Sequence, residues 1–142
     1  MTDYLETLCW YRGFLRQAAY HVQRMEATLG FSLPFSADHL QHLAEQLAPQ
    51  EAFGAEMRYK FRFIYNADGI QTATLSPYAP AVVNQLQLVE APASLDYHLK
   101  YADRSGLDAL KAPLPTGVEP LIVQSGRITD TTYSNVAFLR ND

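Results

Sequence analysis

Apolar and polar positions alternate most cleanly from Met57 to Tyr65, where Tyr59, Phe61, Phe63 and Tyr65 share one face and Arg58, Lys60 and Arg62 the other. That period of two predicts a strand with one face on a core. Asn66-Ala67-Asp68-Gly69 then supplies turn residues, and Ile70 to Leu75 predicts the return strand. Pro77 and Pro80 interrupt the pattern before Ala81 to Glu90 resumes it as a further strand. Nearer the start, Tyr4 to Tyr11 is rich in aromatic and apolar residues. Arg12-Gly13 offers a turn before Phe14-Leu15, which predicts an opening hairpin.

Two segments carry the helical period instead. From Ala18, the residues Val22, Met25 and Leu29 keep one apolar face, and Gly30 suits the position just past a helix end. Ser36 is a suitable N-cap with Asp38 in the first turn. Leu40, Leu43, Ala44 and Leu47 form the second apolar stripe, which ends near Ala48-Pro49. Helices followed by successive strands predict an α+β fold, with an antiparallel or mixed sheet and helices on one side.

Ala91-Pro92-Ala93-Ser94 is short, small and proline-bearing, as linkers are. It predicts an N-terminal α+β domain over 1–93 and a partial second domain over 94–142. In the latter, Asp96 to Lys111 reads as a helix carrying Lys100 near its beginning. Pro113, Pro115 and Pro120 mark a stiff loop. Leu121-Ile122-Val123 and Arg127-Ile128-Thr129 flank Gln124-Ser125-Gly126 as a tight hairpin, and Val136 to Leu139 reads as a last strand.

The 142 residues are 48% apolar, enough for a real core, and carry a net charge of −4 with 11 scattered basic residues. No basic stripe argues for nucleic acid. One cysteine, Cys9, allows neither a disulfide framework nor a cysteine metal site within one chain, which suits a reducing compartment. Neither a signal-peptide pattern nor an apolar run approaching the ~20 residues of a membrane helix is present, so a cytoplasmic protein is expected. His39 and His42 stand three apart on a helix, but no carboxylate or cysteine nearby completes a ligand set. His21, His39, His42 and His98 are expected at the surface. On exposure alone, Lys100 and Arg24 read as solvated helix residues and Asp130 as a turn or cap aspartate.

Order and surroundings give those three residues another reading. Arg127-Ile128-Thr129-Asp130-Thr131-Thr132-Tyr133-Ser134-Asn135-Val136-Ala137-Phe138 resembles the signature of the fold-type IV enzymes that use pyridoxal 5′-phosphate. These are the branched-chain and D-amino-acid aminotransferases and the aminodeoxychorismate lyases. Tyr20-His21-Val22-Gln23-Arg24-Met25 looks like the helix segment from which an arginine of that family reaches the cofactor phosphate. The Leu5 to Gly13 segment precedes it as the family's first hairpin does, and His98-Leu99-Lys100 follows in order.

The resemblance implies a D-amino-acid aminotransferase-like fold and an aminotransferase or lyase acting on an amino acid, a keto acid or an amino-chorismate type substrate. Lys100 would be the Schiff-base lysine and proton shuttle, and Asp130 the acid that keeps the pyridine nitrogen protonated. Arg24 would bind the phosphate, while Thr131 and Thr132 stand where the family has glycine and small residues. The family more often has glutamate at the position of Asp130, and β-branched Thr131 resists a positive φ. A homodimer is implied as well. The family's second phosphate loop would lie beyond Asp142, so weak cofactor binding is expected of a chain that stops there. The reading from a different class is an inactive member serving as a binding or scaffold module.

Overall fold

In the computed structural model, residues 1–54 and 56–140 are described. The strands are β1 (Tyr4–Tyr11), β2 (Phe14–Leu15), β3 (Tyr59–Asn66), β4 (Gly69–Pro77), β5 (Gln85–Glu90), β6 (Val118–Gln124) and β7 (Arg127–Thr131). The helices are α1 (Ala18–Leu29), α2 (Ala37–Leu47) and α3 (Ser105–Lys111). Two compact units emerge. The first is Met1–Ala79 with Leu99–Ala102; the second is Pro80–His98 with the described residues from Asp103 onward.

The first unit is an antiparallel sheet in the order β2-β1-β3-β4. Alternation decides its core. Tyr59, Phe61, Phe63 and Tyr65 of β3 and Leu8 and Trp10 of β1 are buried, together with Met25 of α1 and Leu40 and Ala44 of α2. Burying a side chain of that size contributes ~1.5–3 kcal/mol, which is why a short apolar stripe suffices to dock each helix. Trp10 also donates Nε1–H to the Ala52 carbonyl at 3.1 Å, so its one polar atom is satisfied where it is buried. Gly30 closes α1 with φ 79, as its position past the apolar stripe predicts. Ser36 stands at the start of α2, but its hydroxyl makes no capping bond.

The second unit is a three-stranded sheet, β5-β6-β7, parallel between β5 and β6 and antiparallel between β6 and β7. Ser125 and Gly126, with φ 53 and 72, form the two-residue turn between β6 and β7. Several expectations change here. The strand expected over Ala81–Glu90 begins only at Gln85, and Val136–Leu139 forms no strand. Pro120 belongs to β6 and is fully buried rather than in a loop. Proline disfavours strand interiors, but β6 pairs with β5 on both sides of it, from Val118 and Glu119 to Leu121, Ile122 and Val123.

The helix expected over Asp96–Lys111 is shortened to Ser105–Lys111, and Lys100 is not helical. Tertiary pairing claims the segment instead. Leu5 donates its N–H to the Lys100 carbonyl at 2.8 Å and Ala102 donates to the Asp3 carbonyl at 2.9 Å, on either side of a Tyr4–Tyr101 bridge. Asp103 then turns the chain into α3 by accepting the Ser105 N–H at 2.9 Å. That bond holds the Asp103 carboxyl below its ordinary pKa.

Candidate functional site

Within the first unit, β1 is the strand that positions the candidate groups. Its residues alternate between faces, so Glu6 points to the same side as Leu8 and Trp10 and is only 1% exposed. A carboxylate buried among apolar groups is costly unless its lone pairs are filled. Two residues one turn apart on α1 fill them. His21 Nδ1 donates at 2.6 Å, Arg24 Nε donates at 2.9 Å, and Arg24 Nη2 donates to the second carboxylate oxygen. Burial alone would raise the Glu6 pKa, but the hydrogen bonds from His21 and Arg24 outweigh it and hold it below the ordinary carboxylate range. The bond to Glu6 correspondingly raises Arg24. Tyr65 lies beside this group, and burial pushes its phenol up.

Lys100 is brought to the same strand from its other partner segment. Its carbonyl meets the N–H of Leu5, the residue before Glu6. Arg24 and Lys100 therefore attach to consecutive residues of β1. Lys100 itself is half-buried. His21, expected at the surface, is instead drawn onto Glu6 with its side chain 15% exposed.

In the second unit, Asp130 lies in β7, half-buried, and one of its oxygens accepts the Thr131 N–H at 2.9 Å. Thr131 folds its hydroxyl onto the turn that follows. Oγ1 accepts the Ser134 N–H at 2.7 Å and donates to the Ser134 carbonyl at 2.5 Å. Among the described residues, the non-glycine positions with positive φ are Arg12, Gln17 and Ser125, so Thr131 needs no left-handed backbone.

Thr132 is fully engaged as well. Its N–H reaches Glu119 Oε1 at 3.1 Å, its hydroxyl donates to the same oxygen, and its carbonyl accepts from Arg104 Nη2. Glu119 is buried and paired with Lys111 at 3.0 Å. Burial pushes its carboxyl up, but the bonds from Thr132 and Lys111 bring it below the ordinary value. Arg104 also lies over the Tyr133 ring at 5.2 Å, while its Nε is buried without a partner among the described residues.

The sequence reading missed Glu6, Glu119 and Arg104. One signal was available for Glu6: a lone acid at an inward position of an otherwise apolar strand. Among the described residues no group of three histidine, cysteine or acidic side chains could hold a metal ion, and no helix is long and apolar enough to cross a membrane.

No protein-family model matches the chain. A curated protein of undefined function from Haemophilus influenzae is 27% identical over 138 residues, 97% of this chain and 72% of that protein. The crystal structure of a candidate 4-amino-4-deoxychorismate lyase from Haemophilus somnus superposes with a TM-score of 0.83 at 25% identity, covering 100% of this chain and 73% of that one. This chain has that fold. A candidate amino-acid aminotransferase from Mesorhizobium loti matches with a TM-score of 0.67 at 22% identity, over 93% of this chain and 67% of that one. An aminotransferase from Brucella abortus, solved with pyridoxal phosphate bound, gives 0.56 at 16% identity over 94% of this chain and 56% of that one. At those lower identities the likeness shows the fold alone.

Proposed function

We propose that this chain is a pyridoxal-phosphate-dependent enzyme of the fold-type IV group, a transaminase or lyase for an amino-acid or amino-chorismate type substrate. The observation that carries the reading is the match to the Haemophilus somnus protein along the whole chain. A small amino-acid or keto-acid substrate, a homodimer and a cytoplasmic location belong to the same proposal. The exposed Leu86 and Leu88 of β5 support the dimer.

The residues fit the cofactor chemically. A guanidinium has five N–H donors, and Glu6 occupies two of those of Arg24, which leaves three on a side chain 42% exposed. The second oxygen of Asp130 is uncommitted among the described residues and is of the type that holds a protonated ring nitrogen. Lys100 would hold the cofactor through its side-chain amine and would carry the substrate proton on Nζ. Arg24 would bind phosphate, and the bonds made by Thr131 and Thr132 would fix the backbone that follows Asp130. When bound, pyridoxal phosphate supplies a sink for the electron pair released as a bond to the substrate α-carbon breaks.

Adding pyridoxal phosphate, reducing with borohydride and mapping the labelled peptide tests the reading. The expected result is a yellow protein labelled at Lys100, with the label lost in Lys100→Ala. Labelling spread over surface lysines and unchanged by that substitution would leave the binding or scaffold module as the better reading.

A further inference from the structure

We propose that Glu6 is a positioning residue for Arg24, holding its guanidinium in one fixed plane so that the outward edge forms a ready-made site for a phosphate group. This deepens the proposed function and rests on its assignment of Arg24 to the cofactor phosphate.

The geometry is that of a carboxylate used from the inside. Glu6 stands among core positions of β1, where Leu8 and Trp10 show that an apolar side chain packs well. A buried ion pair is often no more stabilising than apolar packing of the same volume, so stability alone gives little reason for an acid here. Arg24 meets it side-on, Nε to one oxygen and Nη2 to the other. That fork-to-fork contact removes the torsional freedom a half-exposed arginine otherwise keeps. The oxygen bound by Nη2 also accepts from His21, so the carboxylate is held on two sides and cannot swing away with the arginine.

What Glu6 leaves of the guanidinium is both hydrogens of Nη1 and one of Nη2, and Nη2 also stands 3.3 Å from His21 Nδ1, so Nη1 is the main part of the open edge. The inner end of the pair is 1% exposed and the outer end 42%, so the free edge faces outward while the anchor stays dry. An anion meeting such an edge pays little ordering entropy for the side chain it binds. A lysine at position 24 would provide charge without this fixed fork.

The test compares dissociation constants for pyridoxal phosphate and for pyridoxal, which lacks the phosphate. Their ratio isolates the phosphate contact from the rest of the cofactor. Arg24→Gln should lower the preference for the phosphorylated form by roughly 10- to 100-fold, the value of a charge-assisted contact. Glu6→Gln, which keeps the shape but not the charge, should lower the same ratio by about 10-fold or more while pyridoxal affinity holds. The double variant should then fall little below Arg24→Gln alone, because both act on one contact.

A ratio that drops in Arg24→Gln but is unchanged in Glu6→Gln would overturn the positioning role and leave the cofactor reading standing. A ratio unchanged in Arg24→Gln would remove Arg24 from the phosphate site, and the role of Glu6 with it. Should Glu6→Gln fail to fold, the unmutated protein decides by nitrogen-15 NMR. The Arg24 Nε–H should be slow to exchange before any ligand is added and should stay in place as pyridoxal phosphate moves the Nη signals. Rapid exchange of Nε–H in the free protein would refute a pre-set guanidinium.

Discussion

Glu6 is a carboxylate buried on the core face of β1. Its folded pKa lies below the ordinary value because three N–H donors stabilise the ionised form more than burial opposes it. A carboxyl with a depressed folded pKa contributes stability that is present above its unfolded pKa of about 4.3, and that is lost as pH falls through the folded value. Thermal melting should therefore show a steep loss of stability below about pH 4.3 that flattens in Glu6→Gln. An unchanged acid limb in the variant would show that other groups set the pH response. Arg24→Ala, which leaves the buried carboxylate with His21 as its partner, should cost stability near the lower end of the about 3–5 kcal/mol typical of broken buried pairs, since Arg24 is itself partly solvated. Chemical denaturation of the two proteins side by side measures it.

Two elements are decided by a few backbone bonds. In the second unit, β6 and β7 are joined through Ser125 and Gly126, both in the left-handed region. A β-branched residue there is strained, so Gly126→Val should destabilise this hairpin by about 1–3 kcal/mol. The readout is the denaturation midpoint, and an unchanged midpoint would contradict the turn. In the first unit, the segment carrying Lys100 is tied to β1 through the carbonyl of Lys100 and the N–H of Ala102. Ala102→Pro removes the donor that this segment contributes to the pair of bonds. The amide of Leu5, which donates to Lys100, should then exchange with solvent about tenfold faster, the effect of losing roughly 1.4 kcal/mol of local protection. Unaltered exchange at Leu5 would mean that the segment is held by other contacts.

At the scale of the chain, the two units differ in how well they bury what they contain. The first encloses Trp10, Met25, Leu40, Phe61 and Phe63 completely. In the second, Leu86, Leu88 and Ile128 remain exposed on the strands themselves, and Leu139 is 94% exposed. Opening free energies follow buried apolar contact. Hydrogen exchange should thus retain protection longest in β1 and β3 and lose it first in β5 and β7. Protection of β5 that outlasts β3 would reverse this ranking.

Local pattern alone determined most of the first unit, because each of its elements is both locally preferred and locally amphipathic. The alternation of Tyr59 to Tyr65, the stripes of α1 and α2 and the turn at Arg12-Gly13 each state their structure within a few residues, as the Ser125-Gly126 turn does in the second unit. The ordered landmarks around Arg24, Lys100 and Asp130 also pointed from sequence to the fold that the Haemophilus somnus structure shares. Tertiary structure decided what those residues touch. Lys100 leaves a helix-compatible pattern because the edge of β1 offers its carbonyl a partner nearly a hundred residues away in sequence. His21 turns inward from α1 because Glu6, on strand β1, accepts its N–H. Thr132 commits its hydroxyl to Glu119 for the same kind of reason. A buried polar group takes whichever partner the fold brings within reach, and that partner is set by long-range packing rather than by neighbours in the chain.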